Sequence, residues 1–532
     1  MTTDYNSLVS LQRQYHESGE PSTLKSRKLA LQTLKTMLTK ESDKLTAAVE
    51  KDLRRQPGVT YTLEIGNVLV EIDYFLDNLE EWMSPIYVEK TLTTALDTPM
   101  IVKQSKGVVL LIGPWNYPIN TPMIVKQSKG VVLLIGPWNY PISMILLPLV
   151  GILGAGNTVV IKPSEVASNT AQVFDELFTK YYEKRFLAVV QGGIPETTAL
   201  LQERFDHIMY TGCTPVGKII MTAASKHLTP ITLELGGKCP VIIEDDTIDM
   251  KITTKRIAWG KWLNCGQTCL APDYILTTPQ LKGHVINGLI DAIKEFYGND
   301  IQKSKDYSRI INQRHFDRIH SLYEKTKGKI VFNGGEFDRD DCFIPPIILD
   351  VEQNDIFMHD EIFGPILPIL TIRDLDDGIS FIKSDDGISF IKSGERPLAA
   401  YIFTKNEKII EKFLLETISG GVTINDVLMH VTVDTLPFGG IGYSGIGNYR
   451  GKYGFDTFSH QKSVLKRGFF GESLASARYP PMTTNKIEQM KKLTGIRRSI
   501  PKFIKNYFPT LPILFMGILI GFLMNKYTSN LH

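Results

Sequence analysis

Three short stretches of this 532-residue chain carry side chains that could act on one another's chemistry. "NCGQTCLAP" at 264–272 sets Cys269 in a small, glycine-containing loop, from which a thiolate can reach a substrate carbonyl. "LELGGKCP" places Glu234 before a Gly-Gly turn, where a carboxylate can serve as a general base. "PWNYP" holds Asn139, whose amide N–H could be donated to a developing oxyanion. Taken singly, each has a plainer reading as a buried small cysteine, a solvated or salt-bridged glutamate and a turn asparagine. A fourth stretch, "GCTPVGKI" at 212–219, nearly matches the phosphate-loop pattern, but Ile219 replaces the hydroxyl that would ligate magnesium. That substitution argues against nucleoside triphosphate hydrolysis.

These residues need a scaffold, and the texture of the chain suggests one. Residues 1–84 show apolar positions at three- and four-residue spacing, as amphipathic helices do. From about residue 100, short β-branched runs such as "VVLLI", "NTVVIKP" and "HIMYTG" alternate with helical stretches, which predicts an α/β protein with parallel strands. A second α/β region is expected over roughly 234–436.

Two tandem duplications interrupt this pattern. "TPMIVKQSKGVVLLIGPWNYPI" occupies 98–119 and begins again at 121 without a substitution. "DDGISFIKS" at 376–384 recurs at 385–393. Each occurs only twice, so neither reads as a stacked-repeat architecture. The second long copy runs into "ISMILLPLVGILGAGN", an apolar segment ending in glycines, as a buried helix would. After the first copy the chain returns to Pro122 and strand texture. A strand-to-helix loop is therefore complete only in the second copy, so Asn139 rather than Asn116 is the functional candidate, and 98–120 is expected to be the extra segment. The nine-residue repeat would put Ile379 and Ile382 on the face opposite Ile388 and Ile391 of one straight helix, because nine residues span about two and a half turns.

Composition narrows the partners. The chain is 43% hydrophobic and 22% charged, and 59 Lys+Arg against 57 Asp+Glu leave no global field that would attract nucleic acid. Five cysteines without paired C-x2-C units suggest a reducing compartment and no zinc site. The N-terminus lacks the apolar core of a secretory signal.

In order and spacing, "GPWNYP", "AGNTVVIKPSE", "YTGCTPVGK", "LELGGK", "NCGQTC", "EIFGPILP", "LPFGGIGYSG" and "ARYPP" resemble the aldehyde dehydrogenase superfamily over nearly all of residues 5–482, and most of all its class 3 group with the membrane-bound fatty aldehyde dehydrogenases. The resemblance implies a Rossmann-like NAD-binding domain, an α/β catalytic domain and a small β bridging arm. It implies that Cys269 attacks the aldehyde carbon, that Asn139 and the Cys269 backbone N–H hold the oxyanion, and that Glu234 activates the water that releases the acid. Relatives that pass the acyl group to coenzyme A lack a glutamate where Glu234 stands, so hydrolysis is implied. Lys162 and Glu165 match residues that bind the adenosine ribose, Gly212 and Gly217 the turn near the phosphates, and Glu361 and Phe363 the groups flanking the nicotinamide. Glu165 favours NAD, with NADP as an alternative that class 3 relatives use. Cys265 stands where the family more usually has serine, either as a neutral swap or as a disulfide partner of Cys269.

The expected division is 1–97 with 121–233 for cofactor binding, 98–120 as insertion, 234–436 for catalysis, 437–482 for the arm and C-terminal segment, and 483–507 as a basic linker. "FPTLPILFMGILIGFLM" at 508–524 carries no charge and would reach about 25 Å as a helix. Lys491, Lys492, Arg497, Arg498, Lys502 and Lys505 precede it and only Lys526 follows, which predicts a tail anchor with the enzyme domain in the cytosol. The resemblance then points to a homodimeric, membrane-bound oxidoreductase acting on long-chain aldehydes, at the endoplasmic reticulum or else the mitochondrial outer membrane or peroxisome. Two alternatives stand beside it: a class 3 enzyme preferring medium-chain or aromatic aldehydes, and an inactive membrane-bound scaffold.

Overall fold

The computed structural model describes residues 4–84, 86–87, 98–102, 127–383, 396–466 and 476–495. Two compact units emerge. The larger opens with the helical region expected from the periodicity: Tyr5–Glu17, Leu24–Leu53 and Asn67–Met83, the first two capped by Asp4 and Thr23 side chains that accept backbone N–H groups. Two α/β sheets follow.

The first sheet has six strands in the spatial order Gly445–Ile446, Ile231–Glu234, His207–Thr211, Val131–Ile135, Thr158–Lys162 and Leu187–Val189. All neighbours run parallel except the short edge strand Gly445–Ile446. Val131–Ile135, Thr158–Lys162 and His207–Thr211 are buried along their whole length, as strands covered on both faces must be. The chain order reverses between Val131–Ile135 and His207–Thr211, and the carboxyl ends of strands at such a switch point form a natural ligand crevice. The second sheet has seven strands, Lys329–Asn333, Ile347–Asp350, Ile366–Thr371, Tyr274–Thr277, Pro240–Ile243, Ala399–Phe403 and Gly421–Ile424, again parallel except at one edge. Ile231–Glu234 is the last parallel strand of the first sheet in chain order, and Pro240–Ile243 is the first strand of the second. The chain returns to the first sheet only at Gly445–Ile446.

The helix predicted after the second long copy is Ser143–Gly154, buried throughout except at Met144. Gly156 then turns the chain at φ +82°, in the left-handed region where a side chain is strained.

The smaller unit contains an antiparallel sheet in which Thr98–Val102 lies between Ile86–Tyr87 and Lys462–Lys466. Here the expected insertion boundary needs correction. Residues 98–102 are a paired central strand rather than surplus, while Gln127–Ser128 and Val131–Ile135 come from the second copy. The fold thus takes the start of one copy and the remainder of the other. Asn116 and the first-copy "VVLLIGPW" lie outside the described residues. The first nine-residue copy forms most of the helix Leu375–Lys383 with Ile379 buried, and the second copy lies outside the described residues. So does 508–524; among the described residues no helix is long and apolar enough to cross a membrane.

Candidate active site

A cavity of about 580 Å³ opens at the switch point of the first sheet. Its wall combines the loop after Val131–Ile135, the turn after His207–Thr211, the end of Ile231–Glu234, the cysteine loop and residues near 361. Asn139, Glu234 and Cys269 all line it, although they lie far apart in the chain.

The cysteine loop follows the helix Met250–Trp262 and is built from three successive left-handed residues, Asn264, Cys265 and Gly266, with φ of +53°, +57° and +72°. Only glycine fits the third position, because a Cβ there would stand 2.2 Å from the Gly364 carbonyl oxygen. Gln267 pins this bend, donating to the Asn264 and Arg309 carbonyls at 3.0 and 2.9 Å and accepting from the Ile311 N–H at 3.0 Å. The Asn139 side chain donates to the Gln267 carbonyl at 3.0 Å, and Asn264 donates back to the Asn139 carbonyl at 3.0 Å. Tyr140 and Thr268 share a further hydroxyl contact at 3.0 Å. The asparagine turn and the cysteine loop are therefore laced together.

Electrostatics at the three groups are dominated by burial. Glu234 is 2% exposed, and neither carboxyl oxygen has a hydrogen-bond partner among the described residues, so burial holds its pKa well above the usual carboxylate value. The Cys269 thiol is pushed up by burial and then by the nearby Glu361 and Glu234. Glu361 is raised to about 8 by burial and then by Asp273. Burial thus favours the uncharged forms of these groups, which suits an uncharged substrate, and the thiol must lose its proton before the sulfur can attack.

Of the residues matched to the cofactor, Lys162, Glu165, Gly212, Glu361 and Phe363 line the same cavity. Lys162 is buried at the end of its strand and donates to Glu165 at 3.3 Å, while the Glu165 side chain is half exposed. A Cβ on Gly212 would meet the Tyr210 hydroxyl at 2.1 Å, so the turn must be bare backbone. Gly217 lies in the helix Thr214–Ser225, outside the cavity lining, and a Cβ there would meet Leu235, one residue past the strand Ile231–Glu234, at 2.9 Å.

The wall fits a dinucleotide on its own evidence. The buried Thr211 hydroxyl has no hydrogen-bond partner among the described residues at the cavity wall, the N-terminus of the helix Thr214–Ser225 opens beside it, and exposed Ile194, Val216 and Ile219 supply an apolar shelf. Sequence reasoning missed Thr211, Trp138, Arg314, His315 and Arg318, which also line the cavity. Trp138 packs edge-on against Phe363 at 5.3 Å and tilts over His315 at 4.9 Å. Arg314 and Arg318 are four apart on the helix Gln313–Lys325, a spacing common to any solvated helix face, so nothing local marked them.

The disulfide alternative for Cys265 is corrected. All five cysteines are free, and buried Cys265 interacts with Tyr307 and Arg309 rather than with Cys269. Among the described residues no group of three or more His, Cys, Asp or Glu side chains could hold a metal ion.

The family profile described as "Aldehyde dehydrogenase family" matches residues 2–124 and 120–464. A mouse protein named aldehyde dehydrogenase family 3 member A2 is 45% identical over 480 residues, covering 90% of this chain and 92% of its own. Mouse aldehyde dehydrogenase, dimeric NADP-preferring, is 43% identical, covering 90% and 98%. Among solved structures, substrate-bound Staphylococcus aureus AldH superposes with a TM-score of 0.83 at 35% identity, covering 93% of this chain and all of that one. Cavity, topology and similarity agree: the chain has the α/β fold of the aldehyde dehydrogenase family and belongs to that family, in its class 3 group.

Proposed function

We propose that the chain oxidises long-chain aliphatic aldehydes to carboxylic acids, with NAD as its preferred cofactor and Cys269, Glu234 and Asn139 as the reacting machinery. The general class, an NAD(P)-dependent aldehyde dehydrogenase, follows from family membership. The observation that carries the residue roles is the convergence of the three side chains on one cavity.

In this reading the Cys269 thiol gives its proton to solvent water, the sulfur adds to the aldehyde carbon, and the oxygen becomes an oxyanion held by the Asn139 amide and the Cys269 backbone N–H. A nicotinamide cofactor bound here would supply the hydride acceptor, and loss of hydride from that carbon would leave the acyl group on sulfur as a thioester. Glu234, in its ionised form, then takes a proton from the water that attacks the thioester; the C–S bond breaks, the acid departs, and the proton passes from Glu234 to the released sulfur. Lys162, Glu165, Thr211, Gly212, Glu361 and Phe363 would hold the cofactor. Glu165, half exposed beside Lys162, would repel a 2′-phosphate, and this supports NAD over NADP.

Chain length and membrane attachment rest on the sequence. The uncharged stretch 508–524, flanked upstream by basic residues, supports a tail anchor that keeps the catalytic unit cytosolic, and such an anchor suits aldehydes that partition into bilayers. An endoplasmic reticulum location and a homodimer complete the proposal; one mouse relative is itself named dimeric. The cofactor-binding region corresponds to 1–97 with 121–233 and the catalytic region to 234–436 in this scheme.

The test is NADH formation by purified protein from hexadecanal and from benzaldehyde, with NAD and with NADP. Faster turnover of hexadecanal with NAD, abolished in Cys269→Ala, is expected. A preference for benzaldehyde supports the medium-chain or aromatic alternative, and absence of turnover in folded protein overturns the proposal in favour of a scaffold.

A further inference from the structure

Two glutamates sit on the apolar face of the N-terminal helical region, where periodicity calls for hydrophobic residues. Glu64 and Glu71 are both essentially inaccessible to solvent, among buried Ile65, Val68, Ile72 and Phe75. Each pairs with a buried arginine and each caps the start of another helix. Glu71 accepts from Arg450 at 3.2 Å and from the Gly451 N–H at 2.7 Å, at the head of the helix Gly451–Thr457. Glu64 pairs with Arg55, and its other oxygen accepts the Ile142 and Ser143 N–H groups at 2.8 Å each, at the head of the helix Ser143–Gly154. Ile142, the residue in the capping position, has no side chain able to do this.

The two pairs differ in what else they touch. Arg55 donates to the Asn139 carbonyl at 3.3 Å, binds Thr60 at 3.1 Å, and lies over the Tyr140 ring at 4.8 Å. The turn 139–143 is therefore gripped from below at its first carbonyl, at an aromatic ring and at its last two amides. Glu64 also lies in the π-helical turn Tyr61–Gly66, a geometry that recurs at functional sites. A buried ion pair adds little net stability over well-packed apolar side chains of equal volume. What this one supplies is direction: with the backbone of residue 139 held, its side chain donates to the Gln267 carbonyl at the cavity wall.

We infer that Arg55 and Glu64 are positioning residues for the oxidation reaction, setting the aim of the Asn139 amide, whereas the Glu71–Arg450 pair serves stability alone. The inference rests on the oxyanion role given to Asn139 above.

The experiment is a double-mutant cycle in the full-length protein, with kcat, KM and Tm measured for Glu64→Gln, Arg55→Lys, Asn139→Ala, Glu64→Gln with Asn139→Ala, and Glu71→Gln. Loss of aim is expected to lower kcat about 10- to 100-fold in Glu64→Gln with little change in aldehyde KM. In the Asn139→Ala background the same change should alter kcat less than about twofold. Glu71→Gln should lower Tm and leave kcat within about twofold. Should Glu64→Gln fail to fold, Arg55→Lys, which keeps the charge but not the fork, carries the same cycle. An equal kcat loss in both backgrounds, or an unchanged kcat in folded Glu64→Gln, overturns the inference. An unchanged kcat in Asn139→Ala instead overturns the oxyanion role itself.

Discussion

Replacing Glu234 by glutamine should separate the two halves of the reaction and also stabilise the protein. Both Glu234 oxygens lack protein partners among the described residues, so the isosteric amide loses no hydrogen bond and creates no cavity. The folded-state pKa lies well above 4.5, because burial disfavours the charged form. Below pH 4.5 the carboxyl is protonated whether the chain is folded or not, and it contributes no pH dependence. Above that value the unfolded chain releases its proton while the folded chain retains it, so the folded state binds more protons and stability falls with rising pH. The loss is about 1.4 kcal/mol per pH unit until the folded-state pKa is reached. Glu234→Gln removes this term, and its Tm should exceed that of the parent at pH 7 and above but equal it near pH 4. Loss of a general base should lower steady-state turnover about 10²- to 10⁴-fold. Thioester formation does not require it, so rapid mixing of enzyme, aldehyde and NAD should still give one NADH per active site before turnover stalls. The assay is stopped-flow absorbance at saturating substrate, beside thermal melts across pH. Loss of the burst along with the steady state would show that Glu234 acts first on the thiol and would refute the assignment to hydrolysis. A Tm that tracks the parent at every pH would refute the desolvation argument.

Other consequences follow from the same geometry. Deleting any 23 consecutive residues that start between 98 and 120 leaves one and the same polypeptide, with a single copy of the long repeat. That protein should keep its kcat and gain a few degrees in Tm, since each halving of a connecting segment returns about 0.6 kcal/mol; calorimetry and turnover check it. Gly266→Ala should cost about 2 kcal/mol or more and reduce labelling of Cys269 by a substrate-like aldehyde, because it combines a left-handed backbone with a clash against the Gly364 carbonyl. Glu165→Ser should narrow the NAD preference by about tenfold in kcat/KM by removing the carboxylate that would oppose a 2′-phosphate; an unchanged ratio would place selectivity elsewhere. In the acid range, turnover should fail at a pH above the usual carboxylate range, because Glu234 must ionise to act and burial opposes this.

The motifs around Cys269, Glu234 and Asn139 were readable because small residues, glycine turns and strand ends leave local marks. The alternating α/β texture was readable for the same reason, and the apolar run after Pro141 pointed to the helix Ser143–Gly154. The packing at Gly217 was not legible: nothing in the string says that a Cβ at this position would meet Leu235 at 2.9 Å, a distance set by how the helix Thr214–Ser225 settles in the fold. Arg55 and Glu64 were passed over because an arginine and a glutamate in a helical region read as solvated until the pair is seen buried beneath the turn at Asn139.

The duplicated segment draws the line most sharply between the two kinds of information. The residue order by itself determined that the strand-to-helix turn before Ser143 belongs to the second copy, since only that copy continues into an apolar helix. It could not determine which copy supplies the strand beside Lys462–Lys466, because two identical strings have identical propensities. Thr98–Val102 takes that place through its pairing with residues more than three hundred positions away, and such long-range hydrogen bonding exists only once the chain has folded.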